Sequence, residues 1–129
     1  MSELVLISHG SFCHELKKSA EMIMGPQDNI HTVGLDPSEG PEDFQKKFQD
    51  TIAGLNDYVV FADLMGGTPC NVASRLLMEG KAEFNLFAGM NLPMVISFIN
   101  GEMLGTEPAI VDESKAGLVR VNDVIAGIK

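Results

Sequence analysis

Leu4-Val5-Leu6-Ile7-Ser8-His9-Gly10-Ser11 is the stretch whose reading decides the fold. Residues 3–8 form a short apolar run that reads as a buried strand, and His9 stands where it stops. Gly10 then lets the backbone turn tightly toward the next segment. An imidazole is thereby delivered to the carboxyl end of a strand, at the mouth of a loop, which is where open α/β folds meet their ligands. A histidine that merely ends a strand and hydrogen-bonds locally is the competing reading. A second cluster at another strand end decides between them.

Working outward, strands and helices alternate. Residues 12–24 place Cys13, Leu16, Ala20, Ile23 and Met24 on one helical face, and Gly25-Pro26 ends that helix. Ile30 to Leu35 reads as a weaker second strand. Gly40-Pro41 opens a helix with Pro41 at its first position, Glu42 and Asp43 complementing its dipole, and Phe44, Phe48, Ile52 and Leu55 on the buried face. Tyr58 to Ala62 is a third strand. Thr68-Pro69 starts the next helix, with the threonine as cap, the proline just inside, and Val72, Ala73, Leu76 and Leu77 facing inward. Phe84 to Ala88 is a fourth strand, residues 89–91 a loop, residues 92–102 a helix, and a last helix falls around 106–116; Asn91 is placed either to cap the helix at 92 or to help close the crevice from the fourth-strand side. Leu118-Val119-Arg120-Val121 reads as a short edge strand.

Four βα alternations imply parallel strands, right-handed crossovers and helices on both faces. The expected fold is therefore a doubly wound α/β domain over residues 1–129, with a mainly parallel sheet in the order 2-1-3-4. Its topological switch point lies between the first and third strands.

That order gives the second cluster its meaning. Asp63-Leu64-Met65-Gly66-Gly67-Thr68-Pro69 comes directly after the third strand, so Asp63 is expected across the crevice from His9. A carboxylate that accepts a proton from one ring nitrogen fixes the tautomer and leaves the other nitrogen nucleophilic. Gly66 and Gly67 let backbone amides approach an anion, as Gly10 does from the other side, and Thr68 adds a hydroxyl beside a positive helix end. Nucleophile, orienting carboxylate and anion cradle together describe phosphoryl acceptance on His9.

Composition narrows the alternatives. The chain has 129 residues, 45% hydrophobic and 21% charged, which suits one soluble domain with its own core. The formal net charge of −9, without a basic cluster longer than two lysines, disfavours nucleic acid. No apolar run approaches the roughly 20 residues needed to span a bilayer, and Glu3 interrupts what would be a signal sequence. Two cysteines, Cys13 and Cys70, argue against a disulfide framework and for a reducing cytoplasm. A metal site built from His9, Cys13 and Cys70 lacks any close-spaced ligand pair. The eight methionines read as core positions, and no cofactor is indicated. His14 reads as a rim residue, His31 as a partly exposed and locally satisfied one, and Asp36 as part of an Asp-Pro turn.

Three ordered motifs carry a family resemblance: Ser8-His9-Gly10, Asp63-Leu64-Met65-Gly66-Gly67-Thr68-Pro69-Cys70-Asn71, and Ala88-Gly89-Met90-Asn91-Leu92-Pro93-Met94. Over essentially its whole length the chain resembles the IIA component of the mannose-family bacterial phosphotransferase system. The resemblance implies a cytoplasmic carrier, peripheral to a membrane transporter, in which His9 takes a phosphoryl group from the histidine-containing phosphocarrier protein HPr. His9 then passes it to a IIB component, and the membrane IIC and IID components import the sugar. It implies that Asp63 holds His9, that Thr68 contacts the phosphoryl group, and that a homodimer forms in which the C-terminal strand, here Leu118 to Val121, pairs with the partner's sheet. Many members have an aromatic residue where Met65 stands and phenylalanine where Cys70 stands, changes expected to alter the surface beside the site. With no IIB-like domain in the sequence, a free-standing IIA chain is expected. A phosphoryl-carrier subunit serving dihydroxyacetone kinase is the nearest alternative, disfavoured by Gly10 where serine is usual. A non-catalytic regulatory module with His9 as a sensor is another.

Overall fold

Strand β1 (Glu3–His9) sits at the centre of a four-stranded parallel sheet, flanked by β2 (Ile30–Leu35) and β3 (Tyr58–Ala62), with β4 (Asn85–Ala88) outside β3. The order β2-β1-β3-β4 is the one expected from the alternation. Six helices complete the described residues: α1 (Phe12–Met24), α2 (Pro41–Ile52), α3 (Thr68–Met78), α4 (Leu92–Leu104), α5 (Ile110–Ala116) and α6 (Val121–Ile128). These elements come from a computed structural model that describes residues 2–128.

The continuous apolar run of β1 follows from burial on both sides, because successive side chains of a strand point to opposite faces. Leu4 and Leu6 enter a core built with Cys13, Leu16 and Ala20 of α1, Phe61, and Met94, Val95 and Phe98 of α4. Val5 and Ile7 enter the other, with Phe44 and Phe48 of α2, Val60, Ala62, and Val72, Ala73 and Leu76 of α3. Fully burying side chains of this size contributes about 1.5–3 kcal/mol each. The alternation then carries past Ile7. Ser8 is on the α1 side and His9 on the α3 side, so the parity of an apolar strand aims the histidine.

Local chemistry ends the elements where expected in most places. Asn91 caps α4, its side chain accepting from the Met94 amide at 3.0 Å. Glu39 N–H returns to the Asp36 carbonyl at 2.9 Å, which is the anticipated turn. Lys47 Nζ reaches back from α2 to the Gly34 carbonyl at 2.6 Å and to Glu39 at 2.7 Å, and this ammonium holds the Glu39 carboxyl below its ordinary value.

Four expectations need correction. Residues 118–121 form no strand: 118–120 are outside any element and Val121 begins α6. Val121, Val124, Ile125 and Ile128 recur at helical spacing, which favours the helix, and among the described residues the stretch pairs with no strand. Thr68 is the first residue of α3 and Gly67 its N-cap, with no side-chain capping bond. Ile23 is exposed, because the stripe Cys13–Leu16–Ala20–Met24 faces the sheet and leaves Ile23 over an outer groove with Leu92, Pro93 and Ile96. The methionines are not mainly core residues: Met90 and Met94 are buried, but Met22, Met65, Met78 and Met103 are exposed. Met22, Met78 and Met103 lie in the last turns of α1, α3 and α4, beyond the sheet layer that would cover them.

Gly34, paired with Ser8 across the sheet, has the Gly10 carbonyl folded over it. A Cβ there would lie 2.4 Å from that oxygen, a backbone atom that has no rotamer to yield. Gly34→Ala is expected to cost about 1–3 kcal/mol, the usual range for overpacking. Urea unfolding checks this, and an unchanged midpoint would show that the turn relaxes freely.

Candidate functional site

His9 ends β1 with its side chain half exposed, and Asp63 follows β3 with 14% of its side chain accessible. The parallel register Ile7↔Ala62 brings Asp63, one residue past Ala62, to the end of β1, where His9 stands two residues past Ile7. Asp63 Oδ2 accepts from the His9 backbone N–H at 2.9 Å and meets His9 Nδ1 at 2.7 Å. A carboxylate only accepts, so Nδ1 carries the ring proton and Nε2 is left with its lone pair. The second oxygen, Oδ1, is buried and takes no hydrogen bond among the described residues. Asp63 is thus committed to one neighbour.

The Gly66-Gly67 turn faces that pair. Gly66 has φ +88°, a conformation that side chains other than glycine adopt at a cost. Gly67 is extended, and it is needed for a different reason: a Cβ would stand 2.6 Å from His9 Cε1 and 3.3 Å from Nε2. The backbone therefore lies directly against the nucleophilic edge of the ring. Thr68 comes next, at the first position of α3, partly buried. With Pro69 after it, the free amides of the helix start are those of Thr68 and Cys70, which make no hydrogen bond among the described residues. The helix end offers donors and partial positive charge beside Nε2, an arrangement suited to an anion on that nitrogen.

Gly10 closes the other side with φ +55°, its N–H bonded to the Leu35 carbonyl at 2.8 Å. His9, Gly10, Asp63, Gly66, Gly67 and Thr68 are therefore gathered at the carboxyl ends of β1 and β3 and the start of α3, as the sequence suggested. The other singled-out residues are elsewhere. His14 Nδ1 meets Thr32 Oγ1 at 2.7 Å on the rim, and His31 is paired with Glu3 at 3.2 Å. Cys13 and Cys70 are buried in opposite halves of the core, on either side of the sheet, so they share no ligand site with His9. Burial pushes the Cys13 thiol above its ordinary value, which makes it a packing group. The expected surface effect belongs to Met65, which is exposed, and not to Cys70.

Sequence reading missed four contributors: Phe12, Leu64, Asn71 and Ser8. Phe12, Leu64 and Met65 are exposed and, by their positions beside His9 and Asp63, give the site an apolar rim. Asn71 Nδ2 donates to the Gly66 carbonyl at 3.1 Å and braces the turn. Ser8 is fully buried, its Oγ accepting from the Cys13 amide at 2.9 Å. Asn71 and Ser8 were inside the quoted motifs, but only a fold gives them their partners.

The comparisons with known proteins bear on the family and the fold. The family model described as "PTS system fructose IIA component" matches residues 3–115. The "PTS system mannose-specific EIIAB component" of Escherichia coli (strain K12) is 32% identical over 96 residues, which are 72% of this chain and 29% of that protein. This chain therefore corresponds to less than a third of that relative's length. The "PTS system fructose-specific EIIA component" of Bacillus subtilis (strain 168) is 28% identical over 103 residues, 78% of this chain and 70% of that one. Among solved structures, a phosphotransferase system component EIIA from Streptococcus agalactiae superposes with a TM-score of 0.85 at 24% identity, over 95% of this chain and 99% of the other, a likeness of fold.

Gly67→Ala tests the close approach. The added methyl must push the His9 ring away from Asp63, so phosphorylation at position 9 should slow at least about tenfold, the equivalent of one displaced hydrogen bond. Thermal unfolding should change little. Wild-type phosphorylation kinetics in this variant would show that the ring tolerates the methyl in place.

Proposed function

The chain belongs to the mannose-family IIA components of the bacterial sugar phosphotransferase system, and from that premise we propose that it is a cytoplasmic phosphoryl carrier with His9 as the acceptor. The observation that carries the proposal is the engagement of Nδ1 by Asp63 at 2.7 Å, which leaves Nε2 free and facing the Gly67 backbone. In the first half-reaction the P–N bond of a phosphohistidine on HPr breaks as a P–Nε2 bond forms on His9. The Nδ1 proton stays in place, so the ring acquires imidazolium character, which the Asp63 carboxylate stabilises. In the second half-reaction a histidine of the IIB component takes the phosphoryl group, and His9 returns to its neutral tautomer. The Thr68 hydroxyl and the free amides at the start of α3, those of Thr68 and Cys70, hold the phosphoryl oxygens during both.

The membrane IIC and IID components use the phosphoryl group at one remove. Among the described residues no helix is long and apolar enough to cross a membrane, so attachment to the transporter is through protein contacts in this reading. The reading includes a homodimer. Leu118, Val121, Val124, Ile125 and Ile128 are exposed in the single chain, and a second copy would cover them.

Incubation with phosphoenolpyruvate, enzyme I and HPr should add one acid-labile, base-stable phosphoryl group, absent in His9→Ala. Asp63→Asn should fold yet transfer about tenfold more slowly, since a charge-assisted bond becomes a neutral one. Label on His14 or His31 would overturn the assignment. A stable label that IIB cannot remove would favour the sensor alternative. Separately, sedimentation at micromolar concentration should give a dimer that removal of residues 117–129 abolishes and His9→Ala preserves. A full-length monomer would remove the dimer from the reading and leave the chemistry standing.

A further inference from the structure

Ser8 precedes the acceptor, yet its hydroxyl serves residues later in the chain. The side chain is fully buried on the α1 side of the sheet. Oγ accepts from the Cys13 amide at 2.9 Å and donates to the Gly10 carbonyl at 3.3 Å. It thus caps α1 from β1, while Ser11, the residue at the N-cap position, makes no side-chain capping bond. The Gly10 carbonyl lies 2.4 Å from where a Gly34 Cβ would be, so it is turned toward β2. In the sheet order, β2 is on one side of β1 and β3, with Asp63 and Gly67 beyond it, is on the other. A trans peptide is planar, with its N–H opposed to its C=O. The Ser11 amide is therefore turned toward the His9–Asp63 side, and it donates to no acceptor among the described residues.

We infer that Ser8 is a positioning residue for phosphotransfer: by holding the Gly10 carbonyl against β2, it aims the Ser11 backbone N–H into the crevice as a donor to the phosphoryl group on His9. This rests on His9 being the acceptor. It adds a donor from the β1–α1 turn to those at the start of α3, so the phosphoryl oxygens are gripped from both walls. Loss of the hydroxyl frees the Gly10–Ser11 peptide to rotate and invites Ser11 to cap α1 in the ordinary way, which withdraws the amide.

The test tracks the Ser11 amide by ¹H–¹⁵N NMR while His9 of the full chain is phosphorylated, first by phosphoenolpyruvate, enzyme I and HPr and then by phosphoramidate, which needs no protein partner. In the wild type the Ser11 resonance should move downfield on phosphorylation, as a hydrogen bond to a phosphoryl oxygen requires. Ser8→Thr, which keeps the hydroxyl, should retain the shift. Ser8→Ala should lose it and phosphorylate roughly tenfold more slowly, about the worth of one charge-assisted hydrogen bond. A merely structural serine would lower the melting temperature of Ser8→Ala without touching the Ser11 shift of its folded fraction. If His9 is labelled in the wild type and the Ser11 resonance stays put, the inference is wrong and the carrier reading survives, whatever the variants do. If His9 takes no label from either donor, both fall.

Discussion

Asp63 Oδ2 accepts two hydrogen bonds from one residue, the backbone N–H of His9 at 2.9 Å and its ring Nδ1 at 2.7 Å. The first fixes where the end of β1 lies relative to β3. The second fixes the tautomer and plane of the imidazole. One oxygen thereby joins the sheet to the reactive ring, and the rest of the site is arranged around the edge that this leaves outward. Because Oδ1 is buried without a partner among the described residues, the carboxylate has no competing allegiance that would let it swing away.

Such a contact requires that β1 and β3 be adjacent, parallel and in one register. The crossover through α1, β2 and α2 supplies this, since β2 is laid on the far side of β1 and leaves the near side for β3. The split creates the crevice. Two aligned helix starts, α1 and α3, open onto it, one held by the Ser8 hydroxyl and the other entered through Gly67. Parity within β1 then separates their supports: Ser8 works in the α1 half of the molecule and His9 faces the α3 half.

The apolar groups at the surface have a different distribution. Phe12, Leu64 and Met65 are exposed where the chain leaves β1 and β3, in the segments that begin at His9 and Asp63. The stripe on α6 is remote in sequence from those segments and is left uncovered among the described residues. The proposed carrier would use the first kind of surface to meet its partners, and the proposed dimer would cover the second.

Much was legible in the order of the residues. The strand–helix alternation, the sheet order, the strand-end positions of His9 and Asp63 and the Gly66-Gly67-Thr68 turn are written locally, as apolar periods, turn residues and spacing, and local preference agrees here with the final packing. What the sequence could not state was which backbone groups come within reach of which side chains across the sheet. Gly34 looked like an ordinary strand residue until the Gly10 carbonyl was found against it, and Ser8 like one more residue of an apolar run until Cys13 and Gly10 gave its hydroxyl partners. The stretch Leu118 to Val121 failed for the same reason in reverse: its β-branched residues favour a strand, but a strand must pair with a neighbour, and among the described residues it pairs with none. Pattern and composition determined the fold and the candidate reacting groups, because those depend on each residue's own chemistry and its near neighbours in the chain. Tertiary structure alone decided which nitrogen of His9 meets Asp63, the glycines that have no room for a methyl and the partners of Ser8, because each depends on a distance of a few ångströms between segments brought together by the fold.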